Sequence, residues 1–152
     1  MESFYENYLS NLQELHGEIE EALKGLTPAA LDWTPGPGMN SIGVMVYHLT
    51  GAERYWIGEV IGGASAHRDR EAEFRMKGME VDALLKRLAE NHPVITGVLS
   101  GLKLPDLEAK RMARNQNEVT VGWALGHALK HTAIHLGQVQ LTRELWDKSQ
   151  KS

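Results

Sequence analysis

An all-α fold, a four-helix bundle, is predicted by three features of the sequence. Four stretches carry apolar residues at helical spacing, none shows the strict alternation of a half-buried strand, and segments holding Gly or Pro separate them. A length of 152 residues suits one domain, and 42% hydrophobic with 24% charged residues is the balance of a globular chain. With no internal repeat and no low-complexity tract, residues 1 to 152 are read as a single domain.

The first helix spans about residues 3 to 24, where Phe4, Tyr8, Leu12, Leu15, Ile19 and Leu23 recur in helical phase and Gly25 supplies a stop. In "LTPAALDW", Thr27 can cap a short helical turn with Pro28 at its first position, before the stiff loop "TPGPGMN". Ser41 can cap a second helix that runs until Gly62 and Gly63. A third covers residues 79 to 99 through Leu84, Leu85, Leu88 and Ile95, with Pro93 expected to bend it or mark a join. Residues 100 to 119 lack periodicity and are long for a loop, which suggests a crossover or a rim of the site. The fourth helix starts after Thr120 and reaches about Trp146.

Several functions are excluded or disfavoured by composition. Without cysteine there are no disulfides, thiolate ligands or cysteine nucleophile, so any metal must be held by nitrogen and oxygen. A net charge of -4 argues against nucleic-acid binding, which rests on clustered Lys and Arg. The charge-dense run "HRDREAEFRMK" mixes both signs and reads as a solvated loop leading into a helix. No apolar run approaches the ~20 residues that cross a bilayer, and the start "MESFYENYLSN" lacks the features of a signal peptide, so a cytoplasmic, membrane-free protein is expected.

The chemistry lies in "HALKHTAIHLGQ", where His127, His131 and His135 are four apart. An i, i+4 pair of imidazoles can share one metal ion. Three in series cannot, because at about 1.5 Å per residue the outer two lie roughly 12 Å apart along the axis, far beyond two metal–nitrogen bonds of about 2 Å. Helical phase gives one apolar stripe of Val121, Ala124, Leu125, Ala128, Thr132, Leu136, Val139 and Trp146. His135 falls at its edge, His131 roughly 40° further out, and His127 beyond, near Trp123 and Ile134. The pair facing the interior is therefore His131 with His135, leaving His127 to orient a ligand or substrate. Among His16, His48, His67 and His92, only His48 is mid-helix in an apolar context, "VMVYHLTG", and it is the choice for third ligand. The other three read as surface residues. Three imidazoles with open positions are what a catalytic ion needs.

"HTAIH" has threonine where a zincin carries its glutamate, which weakens a peptidase reading. Glu53 falls among Leu49, Ile57 and Val60 on an apolar stripe, so it should be paired, by an arginine or a helix end, lie near the metal, or have a raised pKa. Ile134, Leu141 and Leu145 lie off the main stripe of the fourth helix and face either a second subunit or the crossover.

Taken together, "MNSIGVMVYHLTGAERYW" and "GHALKHTAIHLGQV", the latter with an HxxxHxGQ ending, resemble the DinB/YfiT-like family of metalloenzymes. Helix order and length extend the resemblance over nearly the whole chain. It implies a four-helix bundle with a long crossover, a homodimer, and a divalent metal held by His48, His131 and His135, zinc or nickel first and iron or manganese after them. It further implies an enzyme, a thiol transferase or hydrolase, in which the ion activates a low-molecular-weight thiol or water and His127 or Glu53 handles the proton. The competing expectation is a metal- or ligand-binding helical module without turnover, acting in sensing or assembly.

Overall fold

A computed structural model of the chain describes residues 1–151. Its elements are α1 (Ser3–Leu23), α2 (Pro28–Asp32), α3 (Ile42–Glu53), a π-helical continuation of α3 (Arg54–Ile61), α4 (Arg70–Glu73), α5 (Val81–Gly101), a 3-10 turn (Leu104–Glu108), strands β1 (Lys110–Met112) and β2 (Glu118–Thr120), and α6 (Val121–Ser149). The starts of α2, α3 and α6 are set by hydroxyls, since Thr27, Ser41 and Thr120 each accept a bond from the backbone N–H three residues on. Gly25, at φ +71°, closes α1 in a left-handed conformation open to glycine.

Each of α1 and α3 packs against both α5 and α6, so α1 lies diagonally opposite α3, and α5 diagonally opposite α6. The segments joining them must then cross an end of the bundle, which makes residues 102–120 the long crossover. Two apolar clusters fill the interior. One gathers Tyr8, Leu12, Ile57, Ile95 and Ala128, and the other Ile19, Leu49, Leu88 and Leu136. Between them lies a hydrogen-bonded layer of four buried polar residues, one from each long helix: His16, Glu53, Asn91 and Thr132.

Three expectations need correction. The crossover is not structureless: β1 and β2 pair antiparallel, with Arg111 opposite Val119, in strands too short for alternation to be visible in sequence. Of the two outcomes expected at Pro93, a bend or a join, the join is absent, because α5 runs through it from Val81 to Gly101. The second helix reaches Ile61 as expected, but its last part is π-helical, with Gly62 N–H bonding Ile57 O at 3.0 Å across five residues. This segment lies so close to α5 that a Cβ at Gly62 would run into the Val98 side chain. Ile134, Leu141 and Leu145 are exposed, so they do not pack against the crossover.

The hairpin tip is pinned to the bundle by Tyr55, whose hydroxyl oxygen accepts from the Arg114 backbone N–H at 2.7 Å. Replacing Tyr55 with Phe should leave helical content unchanged while loosening that tip. Loss of one such bond, worth about 1 kcal/mol, should speed amide exchange at Arg114 roughly fivefold. Unchanged exchange at residues 113–117 would show that the tip is held by other means.

Candidate metal centre

His48 reaches the interior from the middle of α3, while His131 and His135 project from successive turns of α6. The structure thus brings together the three histidines that spacing and phase select. His131 Nε2 lies 3.1 Å from His48 Nε2 and 3.2 Å from His135 Nε2, and the candidate ligand atoms all fall within 4.8 Å of one another. Bonds of about 2.0–2.1 Å space neighbouring donors by about 3.3 Å around a tetrahedral ion and about 3.0 Å around an octahedral one. The two measured separations lie between these values. The fit extends to charge. Burial, reinforced by the neighbouring His135, His48, His127 and Arg68, pulls His131 down to about 3, so its lone pair is free at neutral pH. Burial and His48 likewise lower His135. With the Nε2 atoms converging and His131 and His135 both resisting protonation, a divalent cation fits this cluster better than added protons do.

His48 is oriented by a carboxylate that the sequence reading missed. Its Nδ1 donates to Glu73 Oε2 at 2.8 Å, which directs the Nε2 lone pair towards His131. Arg68 fixes the same carboxylate from the other side, Nε to Oε1 at 2.7 Å and Nη2 to Oε2 at 2.9 Å. Burial alone would raise the Glu73 pKa, but the hydrogen bonds and charges of His48 and Arg68 outweigh it and hold the group ionised. The run from 67 to 77 is therefore not simply a solvated loop, since the side chains of Arg68 and Glu73 are only 7% and 3% exposed. Gly51 makes this approach feasible, because a Cβ there would collide with the Glu73 carboxylate.

Glu53 sits in the polar layer between the two apolar clusters. It accepts from His16 Nε2 at 2.9 and 3.1 Å, from Thr132 Oγ1 at 2.7 Å and from Asn91 Nδ2 at 3.1 Å. Its partners are thus a histidine and two neutral donors, rather than the arginine or helix end expected. His16 is correspondingly buried and not a surface residue. Its position was readable in sequence, one turn beyond Leu12 and in phase with Ile19 and Leu23. Burial opposes the charging of His16, but the hydrogen bond and charge of Glu53, aided by Glu20, outweigh it and raise its pKa. Of the other two, His67 is exposed and His92 is half-buried against Gln13.

His127 lies apart from the triad but faces the same opening. Its ring stacks on Trp123 with centroids 4.8 Å apart, meets Trp56 edge-on at 4.8 Å, and lies 6.0 Å from the His131 ring. Burial and the nearby Lys130 lower its pKa, so it is neutral at neutral pH. A cleft of about 420 Å³ opens over His48, His131 and His127, with Trp56, Arg68 and Arg114 among its walls. Glu53 does not line it.

Two outcomes follow from these contacts. Glu73→Gln should weaken divalent-metal binding by about 10- to 100-fold with helicity retained, as measured by competition with a metallochromic chelator. Because His16 has a raised folded-state pKa, its contribution to stability is complete below the unfolded value of about 6.5 and is lost as pH rises through the folded one. The difference in urea-unfolding free energy between wild type and His16→Gln should therefore shrink from about pH 6 to about pH 9. A difference that stays flat or grows would rule out the His16–Glu53 ion pair.

Comparison with known proteins agrees with this architecture. A conserved protein from Enterococcus faecalis superposes with a TM-score of 0.74 at 20% identity, covering 92% of this chain and 95% of that chain. YfiT from Bacillus subtilis, described as a probable metal-dependent hydrolase with an unusual four-helix bundle topology, superposes with a TM-score of 0.71 at 18% identity, covering 93% of this chain and 87% of that chain. No curated protein matches in sequence. The model of the DinB superfamily matches residues 11–139, and with them the whole three-histidine site. The chain belongs to the DinB superfamily.

Proposed function

We propose that this protein is a metal-dependent enzyme that activates a small nucleophile, a low-molecular-weight thiol in preference to water, at His48, His131 and His135. The observation that carries this reading is the convergence of three imidazole nitrogens, two of them belonging to His48 and His131 in the lining of an open cleft. A divalent ion held there, zinc or nickel before iron or manganese given an all-imidazole donor set, would lower the pKa of a thiol or water. The description of YfiT as a probable metal-dependent hydrolase supports metal-dependent chemistry in this fold.

The chain's own residues divide the remaining work. His127, neutral and at the cleft, accepts the proton of the incoming nucleophile. For a thiol, the S–H proton passes to His127, the sulfur bonds to an electrophilic carbon, and the leaving group departs with its electron pair. Trp56 and Trp123 confine His127 and exclude water from one side of its ring. Glu53 has its carboxylate engaged by three partners, so in this reading it positions α6 through Thr132 and the proton role falls to His127 alone. The thiol is favoured because the cleft lining holds no carboxylate in the general-base place that the zincin glutamate takes beside a metal-bound water, whereas a thiol with a pKa near 8.5 loses its proton more readily and needs only an imidazole.

Elemental analysis of untagged protein should give about one divalent ion per chain. That ion should be lost in His131→Ala and in His135→Ala while helicity persists. His127→Ala should retain the ion yet lose about 10²- to 10⁴-fold in the rate of conjugating a common thiol to an electrophile. A metal-loaded protein that conjugates no thiol and cleaves no ester or amide would leave the non-catalytic binding module as the better reading.

A further inference from the structure

The cleft carries a charge opposite to that of the chain. The sequence has a net charge of -4, yet among the described residues the lining of this cleft includes Arg68, Arg70 and Arg114 and no carboxylate. The charge of Arg68 is already neutralised by its two bonds to Glu73. Arg70 and Arg114 have no carboxylate partner among the described residues, and both are placed rather than loose.

Arg114 is held at three points: its backbone N–H on the Tyr55 hydroxyl at 2.7 Å, its guanidinium over the Tyr55 ring at 4.6 Å, and Nη2 on the Arg68 carbonyl at 3.3 Å. Arg70 lies over the Phe74 ring at 5.1 Å. In each case an aromatic face supports the plane of the guanidinium, and the edge that carries the N–H donors is where an oxyanion binds. Asn115 and Asn117 add amide groups from the same hairpin tip. Asn115 has φ +60° and Gln116 has φ +56°, left-handed values that cost free energy for side-chain-bearing residues. That conformation is kept by the Ala113 N–H bond to Asn117 O at 2.8 Å.

We propose that Arg70 and Arg114, with the amides of Asn115 and Asn117, bind an oxyanion, so that the small molecule handled at the three-histidine site carries a carboxylate or phosphate group. This inference rests on the reading of that site as the place where substrate reacts. A fixed anion contact away from the reacting atom would orient the molecule in the cleft, and it would reject neutral analogues by leaving the arginine donors unpaired.

The test is a titration of the metal-loaded full chain with succinate, with inorganic phosphate and with neutral succinamide, followed by the fluorescence of the cleft residue Trp56 and of Trp123 packed against it. At least one anion should bind ten or more times as tightly as succinamide, and whichever binds better assigns carboxylate or phosphate. Arg70→Gln/Arg114→Gln should lose most of that preference with metal content unchanged, each single substitution giving part of the loss. Retention of the ion in the double variant separates this contact from anion ligation of the metal. Equal binding of anions and succinamide, or a preference that survives the double substitution, overturns the proposal. If the chain takes up no metal yet keeps an arginine-dependent preference, the catalytic reading fails and the anion site stands.

Discussion

One buried carboxylate ties the four long helices together. Glu53 on α3 accepts from His16 on α1, Asn91 on α5 and Thr132 on α6, in a layer with an apolar cluster on either side. A carboxylate in such a place is tolerable only when its oxygens are satisfied, and removing one partner leaves a penalty of several kcal/mol, of order 3–5. Sliding any helix by a turn would put Leu12, Leu88 or Leu136 near that charge. The layer thus specifies axial register, which apolar packing alone leaves less sharply defined.

The same contact sets the rotation of α6. Thr132 points inward to Glu53, and on a helix the preceding residue lies about 100° away around the axis. His131 is thereby turned towards α3, and His135, one turn on, follows it to the same side. His48 comes from the helix that carries Glu53, so both halves of the triad are referenced to one fixed point. A second carboxylate then adjusts direction: Glu73 holds the His48 ring and is itself clamped by Arg68. The two acids have separate tasks, Glu53 placing the helices and Glu73 aiming the His48 imidazole.

What was legible in the sequence follows the range of the information. Helices and caps are local, so periodicity with Thr27, Ser41 and Thr120 predicts where they start. The three histidines were legible because two share a helix face and the third sits in an apolar run. Glu53 was legible as an acid out of place, but its partners come from three other helices and no local pattern names them. His16 carried a usable signal, its phase with Leu12 and Ile19, that its polar neighbours masked. Arg68 and Glu73 had none: they lie in a run of mixed charge, and only the tertiary approach over Gly51 buries them. The hairpin was invisible because three-residue strands hold too few side chains to alternate.

The two sides of the cleft are built by different means. The histidine side is borne by α3 and α6, whose positions the polar layer and two apolar clusters determine together, so a change there disturbs the core as well as the site. Much of the facing side is borne by short segments: Arg68 and Arg70 lie at or just before the four-residue α4, and Arg114, Asn115 and Asn117 lie on the hairpin tip, anchored largely through Tyr55. Apart from Arg68, which clamps the buried Glu73, substitution in such segments alters the size and charge of the cleft at little cost to the bundle, since few core contacts depend on them. A fold arranged this way can keep one nitrogen-rich centre constant while the groups that face it across the cleft vary. The three-histidine centre is therefore the part of the candidate site that periodicity makes readable, and the facing wall is the part that only the folded chain reveals.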